Sequence, residues 1–256
     1  MKLIDSHIHI DTYKDEQRER LLSVPDVAYF IAVSMDLASS KTNLQLSKQD
    51  ARIKPAFGFH PEQDIPDPDE IEALFEWMEN HVDSMVAVGE VGLPYYKRQE
   101  EMDLDMAPYI DLLERFIVFA KKHDKPIILH AVYEDGETAC MLLEKHGMEK
   151  AHFHWFKGED ILLRRMNENG YMVSVTPDIC YEQEIQHIVD LYPLEKLMLE
   201  TDGPWPFEER FKNQLTSPEM MYESIVEIAG IKGLPLEKVW EKTFGNTIRF
   251  YELYNG

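Results

Sequence analysis

The chain has 256 residues, of which 44% are hydrophobic, so it is long and apolar enough for one large core or two small ones. Its 26 lysines and arginines are outnumbered by 48 aspartates and glutamates, and the formal net charge is −22. Because nucleic-acid-binding surfaces are built from basic side chains, this charge excludes a broad surface of that kind. A local basic pocket, or phosphates held through metal ions, is compatible with it.

Two further features bear on the compartment in which the protein works. The chain contains no run of about 18 apolar residues, and Leu3 and Ile4 alone separate Lys2 from Asp5, so we expect neither a membrane span nor a signal peptide. Cys140 and Cys180 have no metal-type spacing and form no disulfide framework. We therefore expect buried, reduced thiols in a cytoplasmic protein.

Short apolar runs alternate along the chain with longer amphipathic or charged segments. The apolar runs predict eight strands, at residues 3–9, 27–33, 55–59, 85–91, 126–130, 151–154, 171–175 and 197–201. Helices are predicted at residues 69–81, 102–123, 137–146, 160–169, 182–191, 218–229 and 236–253. The helical period is clearest in the second of these, in the stripe Ile110, Leu113, Phe116, Ile117 and Ala120.

Eight strands that alternate with helices are typical of a parallel barrel, and about 250 residues is the usual length of one. An open doubly wound sheet is the alternative, but no glycine-rich phosphate loop follows the first strand. We predict an α/β fold, a (β/α)8 TIM barrel that forms a single domain over residues 1–256, with additional C-terminal helices. Residues 64–69 and 203–214 are predicted to be loops.

The first predicted strand ends in Asp5-Ser6-His7-Ile8-His9. Residues two apart in an extended chain point the same way, so His7 and His9 present their imidazoles side by side. Two neutral imidazoles can bind one divalent ion but leave its coordination incomplete. A pair of surface histidines is the alternative interpretation of this pattern taken alone.

Other predicted strands also end on side chains that can bind metals. Those after the third, fourth, fifth, sixth and eighth strands are His60, Glu90, His130, His154 and Asp202. The active sites of parallel barrels lie at the carboxyl ends of the strands, where an unpaired charge is costly to bury and a cation removes that cost. These residues therefore predict a metal site.

The ligands can be divided between two divalent ions. His7, His9, Glu90 and Asp202 would hold one ion, and the second would be held by His130, His154 and the shared Glu90. Two ions about 3.5–4 Å apart suit a hydrolytic displacement at a phosphoester or an acyl group. The mixed ligands are compatible with Zn, Mn, Mg, Ni or Fe.

Other polar residues near these strand ends are expected to have other roles. His152 lies nearer the middle of its strand than His154, and Glu200 lies deeper than Asp202, so both are expected to be structural or to support a ligand. His130 taken alone could equally be a core histidine with one hydrogen bond. His60 is expected to line the pocket. The remaining histidines are expected at the surface: His81, His123, His146 and His187.

Taken together, the motifs resemble the TatD-type metal-dependent hydrolases of the amidohydrolase superfamily. In chain order they are Asp5-Ser6-His7-Ile8-His9, Gly58-Phe59-His60-Pro61, Gly89-Glu90-Val91-Gly92-Leu93, Pro126-Ile127-Ile128-Leu129-His130, His154-Trp155-Phe156, Glu200-Thr201-Asp202-Gly203-Pro204 and Phe244-Gly245-Asn246. The resemblance implies a (β/α)8 barrel with a two-metal site at the same six ligands. It also implies that Asp202 binds metal and takes a proton from the hydrolytic water.

The chain departs from the family pattern near the predicted site. Pro94 stands where an aspartate is usual, and Val132 stands where an arginine is usual two residues after the histidine of the fifth strand. Trp155-Phe156-Lys157-Gly158 replaces the usual Cys-Phe-Ser-Gly. These changes put the usual recognition of a phosphate end in doubt. Lys157 either makes a phosphate contact in its place or is simply solvated.

Family members are commonly deoxyribonucleases, so the leading hypothesis is a hydrolase of DNA phosphodiester bonds of the 3′–5′ exonuclease type, with Asp202 and Glu90 as catalytic residues. The alternative is hydrolysis of a small amide, lactone or phosphoester, and a third hypothesis is a non-catalytic barrel that binds a metal or a partner. The predicted substrate contacts are His60, Lys157, Tyr95 and Trp205. Tyr96, Trp155 and Phe207 also follow strand ends, where they either line the cleft or cap the barrel. The sequence does not indicate an oligomeric state.

Overall fold

The computed structural model describes residues 1–253, and its eight strands form a parallel barrel. The strands are β1 Leu3–Ile8, β2 Val27–Ala32, β3 Ile53–Phe57, β4 Ala87–Gly92, β5 Ile127–His130, β6 Ala151–Phe153, β7 Met172–Val175 and β8 Leu197–Leu199. Each strand pairs with the next one along the chain, in the order β1 to β8. This order confirms the predicted TIM barrel and excludes the open doubly wound sheet, in which the strand order reverses.

Backbone hydrogen bonds join the first strand to the segment after the last one. The amide of His9 donates to the carbonyl of Gly203 at 2.8 Å, and the amide of Asp202 donates to the carbonyl of His7 at 3.0 Å. These bonds draw the two ends of the strand order together at their carboxyl ends. They also place Asp202 beside the histidine pair.

Helices follow the strands around the outside of the barrel. They are α1 Asp15–Leu22, α2 Leu37–Gln49, α3 Pro68–Asn80, α4 Tyr95–Glu100, α5 Ala107–Lys122, α6 Glu134–Lys145, α7 Asp160–Glu168, α8 Gln183–Leu191, α9 Met221–Lys232 and α10 Leu236–Phe250. The helices α9 and α10 are the predicted C-terminal additions.

The prediction of one helix over residues 102–123 is wrong at its start. A separate short helix, α4, precedes this region, and α5 begins only at Ala107. The Asp105 side chain accepts a hydrogen bond from the Ala107 amide at 3.0 Å. Pro108 lies in the first turn of α5, where its missing N–H costs nothing. Local side-chain chemistry therefore sets the start of the helix later than the apolar pattern suggested.

Apolar side chains form one layer inside the barrel and another between the strands and the helices. The inner cluster consists of Ile4, Ile31, Val33, Ala56, Ala87, Ile128, Met172, Met198, Tyr251 and Leu253. Several of its members are the first or second residues of their strands, so the cluster fills the amino-terminal end of the barrel. Tyr251 and Leu253, which follow α10, pack into this end.

An irregularity in β1 turns its histidine, His7, inward. Its pairing with β2 shifts register between Asp5 and Ile8. Ile4 packs inside the barrel, whereas Ile8 packs in an outer cluster. Regular alternation would put Ile4 and Ile8 on the same face, so the shift is what allows His7 to point toward the barrel axis.

The cysteines and the peripheral histidines differ in part from expectation. Cys140 is buried, but Cys180 is only half-buried, and both are free thiols. His187 is exposed as predicted. The other three peripheral histidines are half-buried and bonded to a neighbouring helix residue: His81 to Trp77, His123 to Glu79 and His146 to Glu114. No helix within residues 1–253 is long and apolar enough to cross a membrane.

Candidate metal centre

The six side chains predicted to bind metal converge at the carboxyl ends of the strands, and all six are buried. They come from β1, β4 and β5 and from the segments that follow β1, β6 and β8: His7, Glu90, His130, His9, His154 and Asp202. His130 is therefore not an isolated core histidine.

The two carboxylate oxygens of Glu90 face different groups of imidazoles. Oε2 lies 3.1 Å from His7 Nε2 and 3.2 Å from His9 Nε2. Oε1 lies 2.7 Å from His154 Nε2 and 3.2 Å from His130 Nδ1. Glu90 thus lies between two groups of nitrogen atoms, in the arrangement that a shared ligand requires.

Asp202 completes the first of these groups. Its Oδ1 lies 3.3 Å from His7 Nε2 and 3.4 Å from His9 Nε2. His60 extends the second group, because its Nε2 lies 3.4 Å from Glu90 Oε1. His60 was expected only to line the pocket, yet it is as close to Glu90 as several predicted ligands are.

Several of the converging atoms are buried without a hydrogen-bond partner. Within residues 1–253 these include both ring nitrogens of His7, both carboxylate oxygens of Glu90 and Oδ1 of Asp202. Buried polar atoms without partners are costly, and imidazole and carboxylate groups are the ligands that Zn²⁺, Mn²⁺ and similar ions prefer. The donor set therefore fits divalent cations.

Three groups of ligand atoms are close enough to hold an ion, each with its atoms within 4.8 Å of one another. They are His7 with Glu90 and His154, His7 with His9 and Asp202, and His60 with Glu90 and His130. The metal-binding roles of the individual residues stay predictions.

Charge–charge contacts keep the two carboxylates ionised. Burial by itself raises the pKa of Glu90, but the imidazoles of His154, His60 and His7 outweigh it and hold the pKa well below its ordinary value. Burial also raises the pKa of Asp202, and its contacts with His7 and His9 lower it by more. Both side chains are therefore available as anionic ligands at neutral pH.

The pKa values of the imidazoles in this site are shifted in different directions. Burial lowers the pKa of His9, but Asp202 and Glu90 raise it to about 9. The pKa of His130 is also lowered by burial and raised, by Glu62 and Glu90, to about 9. For His154 burial dominates and lowers the pKa to about 4. A metal ion that binds here has to displace protons from His9 and His130.

Glu62 is a site residue that the sequence reasoning missed. One of its oxygens lies 2.9 Å from His130 Nε2, on the side of the ring away from Glu90. The same carboxylate accepts hydrogen bonds from the amides of Tyr96 at 2.9 Å and Lys97 at 2.6 Å, in the first turn of α4. Its position two residues after His60, in Gly-Phe-His-Pro-Glu, was the available signal.

A cavity of about 510 Å³ opens above the metal centre. Besides the ligands it is lined by His60, Glu62, Tyr96, Glu100, Val132, Trp155, Lys157 and Trp205. Three of the four predicted substrate contacts, His60, Lys157 and Trp205, therefore lie on the cavity wall. Glu100 was not predicted, and nothing in its sequence context singles it out.

One aromatic residue, Tyr95, is placed differently from expectation, and the structure decides between the alternatives left open for another, Phe207. Tyr95, predicted to contact substrate, is half-buried and packs on Tyr133 with the ring centroids 4.7 Å apart, and its neighbour Tyr96 lines the cavity instead. Phe207 is buried behind Trp155 rather than lining the cleft. The reason for the difference at Tyr95 is that α4 begins at this residue, so consecutive residues turn through the helical angle.

Lys157 and Trp155 form one wall of the cavity as a unit. The Lys157 ammonium lies 5.6 Å from the centre of the Trp155 ring, a cation–π distance. The indole N–H of Trp155 donates to the carboxylate of the buried Asp178 at 2.6 Å. Among the described residues that line the cavity, Lys157 is the one lysine or arginine.

Comparisons with known proteins agree with this architecture. The profile of a family described as "TatD related DNase" matches residues 4–252. The chain is 41% identical over 252 residues to an uncharacterized metal-dependent hydrolase of Haemophilus influenzae. This match covers 98% of this chain and 100% of the relative. It is 28% identical over 262 residues to the human protein named Deoxyribonuclease TATDN3, covering 97% of this chain and 94% of that one.

Solved structures show the same fold. The crystal structure of YjjV, a TatD homolog from Escherichia coli, matches this chain with a TM-score of 0.83 at 23% sequence identity, covering 98% of each chain. At that identity the likeness concerns the barrel and not the reaction.

Proposed function

The chain belongs to the TatD family of metal-dependent hydrolases, and from this premise we propose that it hydrolyses phosphodiester bonds with a water molecule activated at a two-ion centre. The observation that carries the proposal is the position of Glu90. Its two oxygens face separate groups of histidines, and both oxygens are buried without a hydrogen-bond partner within residues 1–253. A carboxylate so placed is suited to two cations rather than one.

The residues divide the chemistry among them. Bound divalent ions would lower the pKa of the attacking water and stabilise the charge that develops at the scissile centre. Asp202, held ionised beside His7 and His9, accepts the proton of that water and passes it to the leaving group. Glu90 keeps the two groups of histidines at a fixed separation.

A DNA end is the leading candidate substrate. The name of the human relative, a deoxyribonuclease, supports this choice. Lys157 is placed to contact a phosphate as a point charge, and the ring of Trp205, which is 51% exposed, is placed to stack on a base. His60 would contact the scissile group from the cavity wall.

A small phosphoester, amide or lactone is the second candidate, and a specific observation favours it. Lys157 is the single lysine or arginine among the described residues of the cavity wall, whereas Glu62 and Glu100 are acidic and Val132 is apolar. Apart from the proposed ions and the histidines, a polyanionic strand would find one positive side chain on this wall, and the Glu100 carboxylate would repel it. A small substrate with one phosphoryl group carries less negative charge and would be repelled less.

The proposal is tested with protein purified in Mn²⁺ or Zn²⁺ and checked for bound metal by elemental analysis. A labelled single-stranded oligonucleotide and bis(p-nitrophenyl) phosphate serve as substrates. Asp202→Asn should lower kcat by about 100-fold or more, because an amide cannot accept the proton. The exposed His187→Gln is the control and should leave kcat unchanged.

Two results would contradict the proposal in different ways. Full activity in Asp202→Asn would show that Asp202 is not the proton acceptor. A metal-loaded wild type that hydrolyses no phosphodiester would show that the proposed reaction is wrong. In the second case a panel of amides and lactones separates an amidase or lactonase from a barrel without catalysis.

A further inference from the structure

A line of buried polar side chains runs through the barrel from its amino-terminal end to the metal centre. The hydroxyl of Tyr251, just after α10, lies 2.6 Å from His152 Nδ1. His152 Nε2 lies 2.6 Å from Ser174 Oγ, and Ser174 Oγ lies 2.5 Å from Glu200 Oε2. We call this set of four residues the interior chain. None of them has a role in the proposed reaction.

Tyr251, the first member of the interior chain, determines the direction of its hydrogen bonds. Within the described residues, His152 is the single polar partner of the Tyr251 hydroxyl, so that hydroxyl donates to Nδ1. His152 then carries its proton on Nε2 and donates it to Ser174, which in turn donates to Glu200 Oε2. The reverse order would leave the buried Tyr251 hydrogen without an acceptor. The order holds whether or not Glu200 carries a proton on its other oxygen.

Glu200 connects the interior chain to the metal centre. Its Oε1 accepts a hydrogen bond from the Trp155 amide at 2.7 Å and lies 3.9 Å from His154 Nδ1. Trp155 has a φ of 37°, in the left-handed region that is unfavourable for a residue with a large side chain. A turn of that kind persists only when its surroundings hold it in place. Here the Glu200 carboxylate binds the amide of the strained residue itself.

We propose that the interior chain positions His154 and the Trp155 ring at the metal centre, and that Tyr251, Ser174 and His152 act through Glu200 as positioning residues. Each residue of the chain limits the orientation of the next one, and Glu200 fixes the turn that directs His154 toward Glu90 and Trp155 toward the cavity. The end of the last helix thereby influences metal binding from the opposite end of the barrel. This inference rests on the metal centre proposed above.

The test measures metal affinity by competition with a chelator in Ser174→Ala, Tyr251→Phe and the double variant. Residues that support metal ligands typically change metal affinity by about 10–100-fold. Ser174→Ala should weaken binding by about 10-fold, and Tyr251→Phe by a smaller factor. The double variant should bind metal no more weakly than Ser174→Ala, because the loss of Ser174 already interrupts the interior chain.

Tyr192→Phe is the matched control. Tyr192 is a buried tyrosine whose hydroxyl donates to the Tyr171 carbonyl at 2.7 Å, away from the interior chain. It should lose thermal stability much as Tyr251→Phe does but keep the wild-type metal affinity. A second readout is the ¹⁵N spectrum of His152, which should show the Nε2–H tautomer in the wild type.

The outcomes separate this inference from the proposed function. Unchanged metal affinity in Ser174→Ala and Tyr251→Phe, additive effects in the double variant, or an Nδ1–H tautomer of His152 would each overturn the interior chain and leave the metal centre intact. An equal loss of metal affinity in Tyr192→Phe would show that the change follows from lower overall stability, and it would also overturn the proposed role of the interior chain. A wild type that binds no divalent ion would overturn both.

Discussion

Glu90 shows how much of this centre depends on one side chain. Its pKa is held well below its ordinary value although burial acts to raise it, because imidazoles surround it on both sides. The backbone around it is equally constrained. A Cβ on Gly58 would lie 2.7 Å from the Glu90 carbonyl oxygen, so only glycine allows the segment directly after β3 to approach β4 this closely. The Gly-Phe-His-Pro motif therefore serves the position of Glu90 as well as that of His60.

The two cysteines allow a residue-scale prediction about pH. Burial raises the pKa of the half-buried Cys180 to about 11 and that of the buried Cys140 to about 12. Because the thiolate is the reactive form, alkylation of Cys180 by iodoacetamide should rise roughly tenfold per pH unit from pH 7 to 10. Cys140 should stay unmodified in the folded protein.

Peptide mass spectrometry after timed alkylation measures both rates. In denaturant, both thiols should react with a midpoint near the usual pKa of about 8.5. A plateau for Cys180 near that pH in the folded protein, or alkylation of Cys140 at a similar rate, would contradict the assigned environments. Cys180→Ser confirms which thiol is being followed.

At the scale of elements, the short helix α4 is tied to the metal centre through Glu62. Burial raises the pKa of this carboxylate, but His130 and the amides of Lys97 and Tyr96 lower it by more. The first amides of a helix lack partners within the helix, and a carboxylate there is favourable. Glu62 thus fixes the orientation of His130 and the start of the helix that carries Tyr96 to the cavity wall.

Glu62→Gln should therefore have two effects. Loss of the charge should lower kcat/KM by about 10-fold through His130 and lower the free energy of unfolding by about 1 kcal/mol through the helix start. Asp64→Asn is the control, since Asp64 is exposed and pairs with Lys97 alone in the described structure. Enzyme kinetics and thermal unfolding check the two effects separately. Wild-type values for Glu62→Gln in both would show that the carboxylate supports neither element.

At the scale of the whole molecule, the charge of −22 bears on which substrate can approach. Basic side chains near the cavity mouth are largely neutralised: Lys97 pairs with Asp64 and Glu101, and Arg98 pairs with Glu134 and Asp135. A nuclease that holds DNA through basic residues loses affinity steeply as salt rises, whereas an acidic protein repels the strand and is helped by screening. Whether kcat/KM for an oligonucleotide rises or falls with salt therefore shows whether the protein surface repels or attracts the strand.

We predict that kcat/KM for an oligonucleotide stays level or rises between about 50 and 200 mM NaCl. The value for bis(p-nitrophenyl) phosphate should be nearly unchanged over the same range, because that substrate carries one charge. Initial rates at fixed free metal concentration provide the measurement. A tenfold fall for the oligonucleotide would reveal a basic binding surface that the charge distribution does not indicate.

The sequence by itself determined the barrel and the location of its candidate metal centre. Alternating apolar and amphipathic segments specify a parallel barrel, and the carboxyl ends of parallel strands meet at one face. Topology therefore brings a histidine or carboxylate at a strand end to that face, which is why His7, His130 and Asp202 lie together although they are far apart along the chain.

Only the tertiary structure decided which side chains surround that centre. Tyr96 rather than Tyr95 lines the cavity because of the helix that begins there, and Glu62, in the loop between β3 and α3, contacts His130 at the end of β5. The contact between His152 and Tyr251 joins residues 99 positions apart. Such contacts depend on the path of loops and on helix docking, which hydrophobic periodicity does not encode, since it records the buried face of each element and not its neighbour.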